Sequence, residues 1–359
     1  MNLEEVQIKN LRCLLDKKIK FSPNTNIIYG KNGSGKTSIL EGIHTLCYSK
    51  SFRPNIKNNI ITKNKNTMFV KGFFLTKENK KIEIKHGRVG CEKKITINRK
   101  KIQKTSEVVG LIPCVVLSPE DIDIVSGPNT NKIKYIDKIL STTNNKYLKT
   151  FINLKKTLKQ RNKLLKEQHT KKELEVWSEK LATQSTKIWE DRAKFFEKYQ
   201  SEIQQEYNNI NVGGEIKIIY KTQTNTTVDG YIKKAKENYL KDVKTKQTNT
   251  GPHKDVLEIF WDNKNMRTQA SQGEKKLLLI ILKKTEALYL YKKTNTQPIV
   301  LLDDLFAKLD SKKCFDTLSL FYNNFQTIIT STDNTVEPLI EKLNINPIYL
   351  KMEKPCFEA

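Results

Sequence analysis

The spacing of apolar residues changes twice along the chain. Val6-Gln7-Ile8-Lys9-Asn10-Leu11 alternates and predicts a strand, with Ile19-Lys20-Phe21 as its partner. Asn26-Ile27-Ile28-Tyr29 is a short buried strand, and Ile39, Leu40, Ile43, Leu46 and Cys47 then recur at helical spacing. Residues 69–75 and 81–85 are strands divided by the polar turn Lys77-Glu78-Asn79-Lys80. Ile95-Thr96-Ile97 runs into a hairpin-like turn at Asn98-Arg99-Lys100-Lys101, and Cys114-Val115-Val116-Leu117 is a buried strand that stops at Ser118-Pro119. The first third therefore predicts an α/β head carrying an antiparallel β region.

After Gly127-Pro128 the period becomes helical. Leu148, Phe151, Ile152, Leu158 and Leu165 fall on one stripe, and Leu174, Trp177, Leu181, Ile188, Trp189 and Phe196 continue it. Residues 132–205 thus predict a helical arm; ~75 residues folded out and back reach ~50 Å, far short of a long coiled coil. A strand at 215–220, a polar linker at 222–227 and a helix at 231–240 follow. The chain then returns to α/β character, with a strand at 256–260, a helix at 277–290, the fully apolar strand Pro298-Ile299-Val300-Leu301-Leu302, and last strands at 325–330 and 347–350.

The first chemistry lies between the strand at 26–29 and the helix after it. Gly30-Lys31-Asn32-Gly33-Ser34-Gly35-Lys36-Thr37 reads G-x-x-x-x-G-K-T, the phosphate-binding loop. Glycines let the backbone wrap a polyphosphate and turn its N–H groups inward, and the helix start faces the anion. Lys36 would reach the β- and γ-phosphates of a nucleotide, and the Thr37 hydroxyl would hold Mg²⁺.

Composition narrows the partners. The formal net charge is +26, which favours polyanions, nucleic acid first. Lysine far outnumbers the arginines (Arg12, Arg53, Arg88, Arg99, Arg161, Arg192 and Arg267), and isoleucine and asparagine are abundant, so an AT-rich genome is an alternative source of the charge. The six cysteines, Cys13, Cys47, Cys91, Cys114, Cys314 and Cys356, show no C-x-x-C spacing, so neither a disulfide framework nor a metal cluster is expected. No segment resembles a signal peptide or a membrane span, and a cytoplasmic protein is expected.

The partner of a phosphate loop is an apolar strand ending in carboxylates, and Leu301-Leu302-Asp303-Asp304 supplies it. Asp303 would hold Mg²⁺, and Asp304 would orient or deprotonate the attacking water. Ser271-Gln272-Gly273-Glu274 has capping-box spacing, which makes it a helix start and hence an anion site. Phosphate loop, long insertion, helix-start signature and carboxylate strand is the order of ABC-type ATPase heads. The expected fold is α/β, an ABC-type P-loop head from residues 1–125 and 249–359 with an inserted helical arm from 126–248.

The wording of these blocks resembles the RecF family of bacterial recombination and repair ATPases, relatives of SMC proteins, over nearly the whole length. Asn10-Leu11-Arg12, Ser51-Phe52-Arg53 and Ser118-Pro119-Glu120-Asp121 resemble its early motifs. Leu158-Lys159-Gln160-Arg161-Asn162 resembles its arm helix, and Thr250-Gly251-Pro252-His253-Lys254-Asp255 its T-G-P-H-R-D segment. Ala270-Ser271-Gln272-Gly273-Glu274 resembles the A-S-Q-G signature, and Leu309-Asp310 the D-loop.

That resemblance implies an ATP-dependent homodimer closing head to head on two ATP molecules. Ser271, Gln272 and Gly273 would face the nucleotide of the other protomer, Asp310 would sit across the interface, and Arg12 would contact phosphate in cis. It also implies binding of gapped, junction or double-stranded DNA, roles in replication, recombination and the SOS response, and recombinase loading with the mediators RecR and RecO. Asp304 stands where related ABC heads carry glutamate, so slow hydrolysis is expected. Lys254 and Val256 replace an arginine and an aspartate, Phe306-Ala307-Lys308-Leu309 replaces the commoner S-E-L stretch, and no histidine stands near Thr330. An ATP-gated DNA-binding scaffold without required turnover and a transporter's nucleotide-binding subunit are the alternatives; an SMC-type bridge would need a longer coiled coil.

Overall fold

The computed structural model describes residues 1–53, 60–90, 92–167, 170–209, 214–304, 319–321, 324–332 and 346–353. Two compact units emerge, one from Met1–Asp121 with Leu282–Ala359, the other from Ile122–Ile281.

The first unit contains two sheets. β1 (Asn2–Leu11), β2 (Leu14–Lys20), β4 (Thr67–Leu75), β5 (Lys81–Val89), β6 (Glu92–Ile97) and β7 (Lys100–Lys101) form an antiparallel sheet in the order β2-β1-β4-β5-β6-β7. The expected pairing is present, with Val6 opposite Ile19. Asn98 and Arg99, at φ 48° and 67°, turn the last hairpin. β3 (Thr25–Tyr29), β8 (Cys114–Leu117), β12 (Ile299–Leu302), β13 (Thr327–Ser331) and β14 (Ile348–Lys351) form a parallel sheet in the order β14-β3-β13-β12-β8. β8 and β12 are apolar at every position without alternation and are buried throughout, as in a parallel sheet covered on both faces.

Helix α1 (Lys36–Tyr48) packs on both sheets, and all of its residues except Thr37 are buried. Two glycines permit this. A Cβ on Gly42 would come within 2.9 Å of Ile8, and one on Gly72 within 2.5 Å of Leu46. The buried Gln326 side chain joins the sheets: its Oε1 accepts from Leu3 N–H at 2.7 Å, and its Nε2 donates to Leu3 O at 2.8 Å and Ser22 O at 2.7 Å.

The second unit is largely helical. Its helices are α2 (Asn129–Thr143), α3 (Asn145–Leu164), α4 (Lys171–Asn208), α5 (Val228–Glu237), α6 (Tyr239–Thr245) and the start of α7 (Gln272–Thr294). The expected arm thus forms as α2, α3 and α4, with breaks where Asn144 caps α3 and Thr170 caps α4 in a full capping box. The single helix expected at 231–240 is two, meeting at Asn238. β9 (Ile216–Lys221), β10 (Val256–Trp261) and β11 (Lys264–Asn265) form a small antiparallel sheet.

Candidate nucleotide site

Parallel strands β3, β8, β12 and β13 end on one edge of their sheet, the edge at which open α/β sheets bind ligands. The phosphate loop follows β3. Gly33 and Gly35 lie at φ 82° and 97°, left-handed values that side chains disfavour, and Gly35 is the residue before α1. A Cβ on Gly35 would also sit 2.6 Å from Leu14. Lys36 is buried, and its ammonium donates to the carbonyls of Gly30 at 2.5 Å and Lys31 at 3.0 Å. Among the described residues the buried Ser34 hydroxyl meets no hydrogen-bond partner, and a phosphate oxygen would satisfy it. Lys31 and Asn32 complete the loop, where Ser34 N–H donates to Lys31 O at 3.2 Å.

Opposite the loop, Thr37 Oγ1 donates to Asp303 Oδ1 at 2.8 Å. Thr330 Oγ1, on β13, donates to the same oxygen at 2.9 Å and accepts the Asp304 N–H at 2.9 Å. Burial raises the Asp303 carboxyl above its ordinary range, outweighing the hydroxyl donors and the nearby charge of Arg53. An oxygen set of one hydroxyl and one desolvated carboxylate suits a hard divalent cation that keeps phosphate and water as its other ligands. Asp304 lies at φ 48°, a left-handed conformation that aspartate tolerates better than longer side chains.

Arg12, also left-handed at φ 57°, grips Glu41 on α1: Nη2 to Oε1 is 2.7 Å and Nε to Oε2 is 2.9 Å. Glu41 is fully buried, so this bidentate pair fixes the arginine against the helix that carries the loop. At the end of β8, Asp121 Oδ2 accepts from Ser118 N–H and Oγ at 2.8 and 3.0 Å. Lys283 lies 3.3 Å from the other oxygen of Asp121.

The expected capping box forms in the second unit. Ser271 N–H donates to Glu274 at 2.7 Å, and Glu274 N–H donates to Ser271 Oγ at 3.2 Å. The bond from Ser271 holds the Glu274 carboxyl below its ordinary range. Ser271 and Gln272 are exposed and Gly273 half-buried. One unit therefore brings together residues 30–37, Arg12, Asp303 and Asp304, whereas Ser271, Gln272 and Gly273 belong to the other. Asp310 and the stretch 306–309 lie outside the described residues. Thr330 belongs to no motif of the sequence, and the histidine of related switch positions is missing beside it. A hydroxyl at the end of an apolar strand beside the carboxylate strand was the available signal.

The motifs Leu158-Lys159-Gln160-Arg161-Asn162 and Thr250-Gly251-Pro252-His253 meet inside the second unit. Arg161 donates to Asp242 at 2.7 Å and Thr248 at 2.8 Å, Asn162 accepts from Thr248 N–H at 2.8 Å, and His253 bonds Thr248 O at 2.9 Å. They act as internal ties of this unit.

Fold and site define an ABC-type P-loop ATPase head with a helical arm. A family model described as the RecF/RecN/SMC N terminal domain matches residues 2–345. The DNA replication and repair protein RecF of Clostridioides difficile (strain 630) is 32% identical, covering 96% of this chain and 95% of that one. The chain belongs to the RecF family. The RecF of Prosthecochloris aestuarii is 28% identical over 99% of this chain and 100% of its own. A solved structure titled as the recombination mediator protein RecF-ATPrS in the RecFOR pathway superposes with a TM-score of 0.85 at 29% identity, covering 92% of each chain. An Smc head bound to the C-winged helix domain of ScpA, at 16% identity and a TM-score of 0.55, shares the fold.

Proposed function

We propose that this chain is an ATP-dependent DNA-binding protein of DNA replication and recombinational repair, acting in the cytoplasm. The observation that carries the nucleotide part is the Thr37–Asp303–Thr330 cluster, held at 2.8–2.9 Å beside a phosphate loop whose buried Ser34 hydroxyl has no partner among the described residues. Relatives named as RecF, one of them solved with ATP, support the choice of nucleotide and of pathway.

In this reading residues 30–37 cradle the phosphates, and Lys36 exchanges its loop carbonyls for phosphate oxygens. Thr37 and Asp303 hold Mg²⁺, which when bound neutralises charge developing on the transferred phosphoryl group. Asp304 orients the attacking water and takes its proton, while Arg12, braced by Glu41, faces phosphate in cis. Ser271, Gln272 and Gly273 of one protomer and Asp310 at the interface complete the site of a partner protomer. ATP binding thus drives dimerisation on gapped or junction DNA, slow hydrolysis resets it, and the mediators RecR and RecO are the partners in recombinase loading.

Light scattering with and without ATP and DNA tests this on wild type and Lys36→Ala. The expected result is a dimer that needs ATP and Lys36. Dimerisation indifferent to both refutes the mechanism.

A further inference from the structure

The antiparallel sheet buries one face on α1 and turns the other to solvent. On the outer face the register draws a row across all six strands: Lys18, Gln7, Lys71, Lys85, Thr96 and Lys101 stand side by side. At ~4.8 Å between strands the row is ~24 Å long. It contains four lysines and no acid. The acids of this face, among them Glu5 and Glu83, lie in flanking positions and lean on the row, at 3.2 Å from Lys18 and 2.9 Å from Lys71.

Two phenylalanines flank Lys71 on the same strand and face. Phe69 and Phe73 are half-buried, and their covering is lysine: Lys71 and Lys81 stand 4.6 and 4.8 Å from the Phe73 ring centre, and Lys85 stands 4.8 Å from that of Phe69. Opposite Phe69 the partner strand carries Gly87, where even an added Cβ would meet nothing nearer than a carbonyl at 3.6 Å. An aromatic shelf with open ground beside it thus adjoins a cationic line.

We propose that this outer face is a platform for single-stranded nucleic acid, with phosphates along the lysine row and bases stacked on Phe69 and Phe73. The proposal rests on the DNA-binding reading above and adds where, and in which form, the strand is held. Base stacking on a ring outweighs an exposed ammonium over it, so bases displace the lysines, which remain to pair with phosphates. A duplex hides its base faces and would leave both rings unused. The row accommodates about four nucleotides.

The test is anisotropy of a labelled oligo-dT 20-mer and of a 20-base-pair duplex across a salt series, with ATP binding as the check on folding. Phe69→Ala/Phe73→Ala should weaken oligo-dT binding by about ten- to a hundredfold and duplex binding by less than threefold. Lys85→Gln/Lys101→Gln should lower the slope of log affinity against log salt by about one to two. Phe73→Trp, which keeps the ring, should retain affinity and show emission quenched by oligo-dT. Unchanged oligo-dT affinity in the double alanine variant, equal losses for both ligands, or no quenching in Phe73→Trp overturns the platform. A wild type that binds ATP but neither nucleic acid overturns the DNA-binding reading itself.

Discussion

Arg192 of α4 holds two buried carboxylates of the helical unit at once. It is 1% exposed. Its guanidinium donates to Asp137 at 2.7 Å, to Asp255 at 2.8 Å and to Pro252 O at 2.9 Å, with the Tyr220 hydroxyl at 3.2 Å. Asp137 and Asp255 are themselves 5% and 2% exposed. Arg192→Met keeps the packing volume and strands two buried carboxylates without their cation. Tyr147 still donates to Asp137, and Trp189 and Tyr220 to Asp255, so some hydrogen bonding survives. Breaking a buried ion pair from one side costs about 3–5 kcal/mol, and the shared cation puts this site at the upper end. Hydrogen exchange on α4, with urea unfolding followed by circular dichroism, reads the loss. Adding Asp137→Asn and Asp255→Asn should recover a large part of it, since the stranded charges are then gone. A single-variant loss under about 1 kcal/mol, or no recovery in the triple variant, refutes the assignment of this cluster as the unit's electrostatic tie.

Three further outcomes follow from the first unit. Thr330→Val removes a donor to Asp303 and the acceptor of the Asp304 N–H; ATP turnover should fall by tenfold or more with KM changed less than threefold, and Thr330→Ser should restore it, whereas a parallel loss of ATP affinity would contradict the positioning role. Asp304→Asn should bind ATP and dimerise yet turn over at background rate; full repair function in cells with this variant would favour an ATP-gated scaffold instead. His86 is buried, both ring nitrogens lack a partner among the described residues, and burial, reinforced by Lys93 and Arg88, lowers its pKa to about 4. Its folded value thus lies below the unfolded one, so below pH 6.5 the unfolded chain takes a proton the folded one refuses, and stability falls as pH falls towards 4. At pH 5 this amounts to about 2 kcal/mol, and His86→Leu should erase it; urea midpoints at pH 7 and pH 5 that shift equally in both proteins would rule it out.

Much of this was legible in the sequence because it is local. The phosphate loop needs glycines at fixed spacing, the strand before it and helix after it are short-range patterns, and the Ser271–Glu274 box closes over three residues. Non-local pairings left no such trace. Gln326 joining Leu3 and Ser22 from the far end of the chain, or Thr330 meeting both Asp303 and Asp304, depends on strand order in the parallel sheet, which a single sequence does not encode by period. The pairing of β9 with β10 escaped notice because α5 and α6 separate the two strands in the chain. Arg161 and His253 stand in motifs that carry the family resemblance, and their partners are backbone and side chains of their own unit.

The left-handed backbone at Asp304 carries an evolutionary consequence. Lengthening this acid to glutamate, the residue expected at this place in related ABC heads, is not merely the addition of a methylene. A glutamate there must either bear a backbone conformation its side chain disfavours or let the peptide flip and surrender the Thr330 bond. Side-chain length and main-chain shape at this position are therefore inherited as one trait. A lineage exchanging this aspartate for glutamate must cross a less stable intermediate before the longer side chain gains its reach, so the backbone at residue 304 holds the shorter acid in place even where selection is indifferent to it.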